Sequence, residues 1–260
     1  MSANAPKPGA PVIEVEGLTA GYGERILLRD VTFTVRAGEL FAILGQNGCG
    51  KSTLLRHLIG LQRPMAGTIR LLGVNIATTD EATLRDVRRR IGVLFQAGGL
   101  LNAMTVGENI ALPLSEHTTL SDADIDGVIR EKLAMVNLSR ARNRLPSELS
   151  GGMKRRAALA RAMALDPPLL FFDEPSAGLD PVNSLELDLL IEKLNRDTGT
   201  TMIVVTHELP SIFRIARRVI FLDPEAQGII AEGDAAVLRE SSHDPRVSNF
   251  LNRRLSGPEG

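Results

Sequence analysis

Apolar and polar positions along the first third of the chain follow the two-residue period of half-buried strands. Residues 12–18 alternate apolar with acidic side chains. Residues 26–35 are β-rich, and 39–44 lead as an apolar run into a glycine-rich turn. A helix is predicted after that turn, over about 51–59, and short strands over 68–72 and 91–95. From about 105 to 143 the period becomes helical, with Ile125, Ile129, Leu133 and Val136 recurring on one face until Pro146 and Ser147 break the pattern. Alternation then resumes. A helix over 150–164 precedes the apolar strand 169–172, and a helix over 182–195 precedes the strand 201–205. Strands at 219–222 and 229–231, a short helix from Ala235 and a polar tail from Ser241 finish the chain. Strand–helix alternation of this kind predicts an α/β core with a parallel sheet. The helical middle reads as an inserted subdomain. The predicted organisation is a flexible tail over 1–11, one domain over 12–240 and a tail over 241–260. Within the domain, 12–96 and 166–240 form the core, and about 97–165 the helical subdomain.

Composition narrows the choice of function. The 260 residues are 43 % hydrophobic, enough for a sizeable core, and the formal net charge of −1 gives no bulk attraction to nucleic acid or anionic lipid. The single cysteine, Cys49, excludes an intrachain disulfide framework and a cysteine-rich metal site, and it fits a reducing compartment. The opening residues lack the apolar run of a signal peptide. No stretch approaches the roughly 18 consecutive apolar residues of a membrane span. A role at a membrane therefore needs another chain to cross it.

The strongest chemical signal is Gly45-Gln46-Asn47-Gly48-Cys49-Gly50-Lys51-Ser52, a complete Walker A pattern between an apolar strand and a helix. Glycines let the backbone wrap phosphates and aim N–H groups inward, and the following helix, with Thr53 in its first turn, adds its positive end. Lys51 is expected on the β- and γ-phosphates of ATP and Ser52 on Mg²⁺. A second site is the apolar strand Leu169-Leu170-Phe171-Phe172 ending in Asp173-Glu174, a Walker B pattern. Adjacent carboxylates at a strand end are costly unless they hold a cation or a reacting water. Asp173 is expected to hold Mg²⁺ and Glu174 to act as the base for the attacking water. Leu149-Ser150-Gly151-Gly152-Met153, about a hundred residues on, opens another helix with bare backbone N–H groups. Read alone it is a capped helix start. Read beside the other two sites it is a second phosphate grip.

These motifs, in this order, resemble the ATP-binding subunits of ABC transporters, and the resemblance spans about residues 12–232. It implies a P-loop ABC ATPase fold, ATP and Mg²⁺ as ligands, and a head-to-tail homodimer in which Ser150, Gly151 and Gly152 of one copy complete the ATP site of the other. It also implies roles for single residues. Tyr22 resembles the aromatic that stacks on adenine. Gln96 resembles the glutamine that senses Mg²⁺ and the attacking water. The segment Ser176-Ala177-Gly178-Leu179-Asp180 resembles the D-loop, and His207 the switch histidine on the γ-phosphate. With Lys51, Glu174 and His207 all matching, an active hydrolase is expected. A loop helix of an integral membrane permease is expected to dock on 97–101.

Met153 stands where the family usually has glutamine. With the basic residues after it, with 94–100, with 112–118 and with 243–251, it resembles the phospholipid-transport branch associated with Mce proteins. That branch implies an Mce-type lipid-binding partner and a place on the cytoplasmic face of the inner membrane, with no nucleic acid. Alternatives are a soluble ABC ATPase of the iron–sulfur-assembly type, a transporter ATPase for another cargo, and a regulator without turnover. The Arg88-Arg89-Arg90 run reads as a solvated helix end. Cys49 reads as a small residue tolerated in the loop, and its place at a helix N-terminus also raises the hypothesis of a thiol activated by a lowered pKa.

Overall fold

The computed structural model describes residues 6–96 and 98–253. Two sheets form its frame. In the first, β1 (Pro11–Tyr22) pairs antiparallel on one side with β2 (Arg25–Arg36) and on the other with β4 (Ala66–Leu71), which turns back into β5 (Val74–Asn75). The alternation read in 12–18 has its physical consequence here: Ile13, Val15 and Leu18 are buried while Glu16 stays exposed.

The second sheet runs in the order β10-β9-β3-β8-β7-β6. Five strands are parallel: β3 (Leu40–Gly45), β6 (Ile91–Leu94), β7 (Leu169–Asp173), β8 (Thr201–Val205) and β9 (Arg218–Asp223). At the edge, β10 (Gly228–Gly233) folds back antiparallel on β9. All of β3 and β8 is buried, as expected of parallel strands covered on both faces. Successive residues face opposite layers. Leu169, Phe171, Ile203 and Val205 join the core shared with the antiparallel sheet and α1 (Lys51–Leu58). Leu170, Phe172, Met202 and Val204 face a core shared with the helical middle.

That middle comprises α3 (Val106–His117), α4 (Asp122–Met135) and α5 (Gly151–Ala162). Thr105 with Glu108 and Ser121 with Asp124 form reciprocal capping boxes that fix the starts of α3 and α4. The remaining helices are α2 (Glu81–Arg89), α6 (Pro181–Thr198), α7 (Leu209–Ile215), α8 (Ala235–Ser241) and α9 (Pro245–Leu251).

Two expectations need correction. The residues after Ser241 are not merely a polar tail. Asp244 caps α9, Val247 and Leu251 are buried at an i,i+4 spacing, and the Phe250 ring meets Phe221 edge-on at 4.9 Å. Arg246 Nη1 also donates to the buried carboxylate of Asp223 at 2.8 Å. One helical turn of apolar pattern amid polar residues is too short to register as periodicity. In the arginine run, Arg88 is not simply solvated: it ends α2 by donating to Gly60 O at 2.5 Å and to Glu81 at 3.0 Å. Residues 1–5, Ala97 and 254–260 lie outside the described residues, so parts of both expected tails and one residue of the expected docking segment do too.

Candidate nucleotide site

The parallel sheet brings four loops to one edge. β3, β8, β7 and β6 are neighbours in that order, and each carries predicted residues at or just beyond its C-terminal end: Gly45–Ser52, His207, Asp173–Glu174 and Gln96. The registers Ile43↔Val205, Asp173↔Val205 and Leu94↔Phe172 set the four ends level. Ligands of open α/β sheets sit beyond the carboxyl ends of the strands.

The loop after β3 is built on left-handed backbone at Gly48 (φ +82) and Gly50 (φ +100), where a side chain is strained. Gln46, Asn47 and Gly48 are exposed, while Cys49 and Gly50 are buried. Gly50 gives α1 no side-chain cap, and no acid stands in its first turn. The helix therefore presents free N–H donors and its positive end to an anion. The Lys51 ammonium is buried over the loop, donating to Gly45 O at 2.8 Å and Gln46 O at 2.9 Å. Ser52 is exposed beside it, 3.4 Å from Asp173 Oδ1. Burial, then the neighbouring Glu174 charge, pushes the Asp173 carboxyl up. Two oxygen donors, Ser52 and Asp173, stand together at the mouth of the loop.

Glu174 is held in an unusual pose. Its φ is +48, rare for a side chain of this size, and its N–H is pinned to Val205 O at 2.8 Å. Its carboxylate is buried. Oε1 accepts from His207 Nδ1 at 2.7 Å, and Oε2 is buried with no partner. A carboxylate only accepts, so Nδ1 carries the proton of that bond. Tyr22, at the end of β1, is 40 % exposed, and its hydroxyl accepts from Arg56 of α1 at 2.6 Å. Thr53, in the first turn of α1, is buried and also faces the phenol, lowering its pKa.

The chain matches a family model described as ABC transporter over residues 28–177. It belongs to the ABC transporter family. Curated relatives agree. The chain is 41 % identical to the intermembrane phospholipid transport system ATP-binding protein MlaF of Escherichia coli K12, over 96 % of this chain and 91 % of the relative. It is equally 41 % identical to the probable ribonucleotide transport ATP-binding protein mkl of Mycobacterium tuberculosis H37Rv, over 95 % of this chain and 68 % of that one. Among solved structures, the dimeric post-hydrolysis state of the ATP-binding cassette MJ0796 bound to ADP and Pi superposes with a TM-score of 0.77 at 31 % identity, covering 85 % of this chain and 98 % of that chain. The cbiO1 subunit from Clostridium perfringens gives 0.81 at 26 % identity, covering 96 % of each chain. The protein is an ABC ATPase that binds nucleotide.

In this ABC ATPase, Ser150 caps α5 by accepting from Met153 N at 3.3 Å, and Ser150 and Gly151 are exposed. Among the described residues no hydrogen bond joins Ser150–Gly152 to the phosphate loop of the same chain. Gly152 instead abuts Asn183 of α6, and a Cβ there would strike that side chain. Met153 turns inward and packs on the helical core, so the departure from glutamine adds an apolar contact. Gln96 is exposed at the end of β6, with its carbonyl bound by Arg155 of α5, which also donates to Ala177 O at 3.1 Å. The activated-thiol expectation for Cys49 fails. Its side chain is 1 % exposed behind the loop, and burial pushes the thiol up. Arg56 was invisible to motif reading, and Arg155 entered it only as one of the basic residues after Met153. The hint for Arg56 was its place one turn beyond Ser52 on the helix that faces the single tyrosine.

Proposed function

We propose that two copies of this chain hydrolyse ATP at shared sites and so drive phospholipid transport through a separate membrane permease. The observation that carries the chemistry is the unpartnered buried Glu174 Oε2 beside an uncapped, complete phosphate loop. A base needs a free lone pair within reach of its water, and a second group to hold it in place. Oε2 supplies the first and His207 the second. Lys51 and the N–H groups of 45–53 bind the phosphates, and Tyr22 offers a face to adenine. Gln96 stands at the same sheet edge to orient water. The residues fit Mg²⁺: Ser52 and Asp173 are hard oxygen donors, and this cation commonly takes one or two protein oxygens with substrate phosphates for the rest. When bound, it would neutralise charge on the β- and γ-oxygens.

Ser150 and Gly151 are exposed and, among the described residues, make no hydrogen bond to their own phosphate loop, which supports completion of each ATP site by a second copy. Phospholipid is favoured as cargo because the chain spans nearly the whole of a relative named for that transport. An Mce-type lipid-binding protein is the third expected partner. No described helix is long and apolar enough to cross a membrane. The expected spanning subunit is a separate permease, with this protein on its cytoplasmic face. The expected docking segment, 97–101, borders a groove of about 460 Å³ that Gly98 and Gly99 line together with Phe95, Pro113 and Arg161.

The test is Glu174→Gln. Turnover should fall about a thousandfold while ATP now holds a dimer on gel filtration. A monomer at every ATP concentration, or undiminished phosphate release, would sink the proposal. Co-purification with a multi-span membrane protein, and ATP-dependent removal of labelled phospholipid from vesicles by that complex, test the cargo.

A further inference from the structure

Outside the nucleotide loops the most unusual buried group is Asp188, on α6. Its side chain is 1 % exposed. Arg214 of α7 donates to Oδ2 at 3.1 Å. The other oxygen, Oδ1, is buried without a hydrogen bond, and so are the hydroxyls of Ser176 and Ser211. Burial pushes the Asp188 carboxyl up, and Ser211, Arg214 and Ser176 all lie close enough to it to oppose part of that rise. Three polar atoms that each lack a bond therefore meet at one point.

The positions of the serines matter. Ser176 lies two residues after Glu174, on the D-loop. Ser211 lies four residues after His207, on the same face of α7 as Arg214. Asp188 thus stands behind the Glu174–His207 pair and touches both chain segments that carry it. Buried oxygens left unpaired are costly, and hydrogen bonds that are slack in a nucleotide-free enzyme often tighten in the reacting complex.

We propose that Asp188 is a positioning residue: when the site closes on ATP, its Oδ1 accepts from Ser176 and Ser211 together and locks the Glu174 segment to the His207 segment. Asp188 never touches ATP. It acts by fixing the distance between base and switch histidine. The inference rests on the roles proposed for those two residues.

The test uses the full-length chain with Mg²⁺-ATP. Asp188→Asn keeps the shape but puts an amide donor beside the serines. It should lower kcat roughly tenfold with KM for ATP changed less than about twofold. Ser176→Ala and Ser211→Ala should each lower kcat about threefold, and the double variant no more than about threefold, because either loss already opens the link. A multiplied, ninefold loss means that the serines act separately and overturns the proposal, as does an unchanged kcat in Asp188→Asn. A parallel loss of kcat, ATP affinity and melting temperature in all three single variants also overturns it, by reducing Asp188 to a packing role. Glu174→Gln is run alongside. If that variant still turns over ATP, the reading of the site fails, whatever Asp188 does. If it is dead while Asp188→Asn is normal, only the positioning role fails.

Discussion

The two glycine-rich helix starts of this protein are alike in sequence and unlike in construction. At α1 the helix has no side-chain cap, its lysine is buried over the loop, and the loop is wedged against its own sheet: a Cβ on Gly45 would strike the backbone carbonyl of Leu222. At α5 a serine caps the helix, Ser150 and Gly151 are exposed while Gly152 is buried, and the atoms nearest the two glycines are side chains of the D-loop and α6. One start is completed within the chain. The other is shaped within the chain and left facing out. Under the proposed function, the first grip binds nucleotide within its own chain and the second completes the nucleotide site of another copy.

Lys51→Ala breaks the first half most strongly. It removes a charge-assisted contact worth about 1.5–3 kcal/mol, so ATP affinity by fluorescence titration should fall roughly ten- to a hundredfold, in monomer and dimer alike. The glycines sharpen the contrast. Gly152→Ala meets the Asn183 side chain from its amide to its Cβ, with no backbone among the nearest atoms. The variant should fold and bind ATP as a monomer with affinity within about twofold of the parent, yet lose about tenfold in ATP-induced dimerisation when placed in the Glu174→Gln background. Gly45→Ala meets backbone at φ +147, so the fold itself should loosen, by about 1–3 kcal/mol on denaturant titration. If Gly152→Ala instead weakens monomeric ATP binding as Lys51→Ala does, both grips serve one chain and the contrast is wrong.

The smallest effect concerns pH. The Asp173 pKa is raised because burial and then Glu174 disfavour its charged form. A cation needs that charged form, so Mg²⁺ dependence of ATP binding should weaken by a few-fold as pH falls through the raised pKa. The same proton stabilises the free protein. The folded chain takes it up more readily than the unfolded chain does, so this residue's contribution to stability improves as pH falls through the same window. Opposite slopes for Mg²⁺ affinity and for melting temperature of the free chain are expected; parallel slopes would show that Asp173 is not the group responsible.

The linear chain determined the local chemistry. Gly45–Ser52 needs left-handed glycines and a helix start within eight consecutive positions, and Leu169–Glu174 needs an apolar run ending in acids, so both are legible without coordinates. The same holds for the period-two strands and for the approximate limits of α1, α5 and α6, because cap and period are set by neighbours a few residues apart, whereas α2, α7 and α9 are too short to register as periodicity. Tertiary structure alone decided what residues distant in sequence do to one another. His207 reaches Glu174 across 33 positions because β7 and β8 are adjacent. Lys132 is buried against Asp166, Cys49 is turned behind its loop rather than toward phosphate, and the last turn of helix is held by Asp223. Side-chain burial and pairing depend on which surfaces the whole chain brings together, and no short window of sequence contains that information.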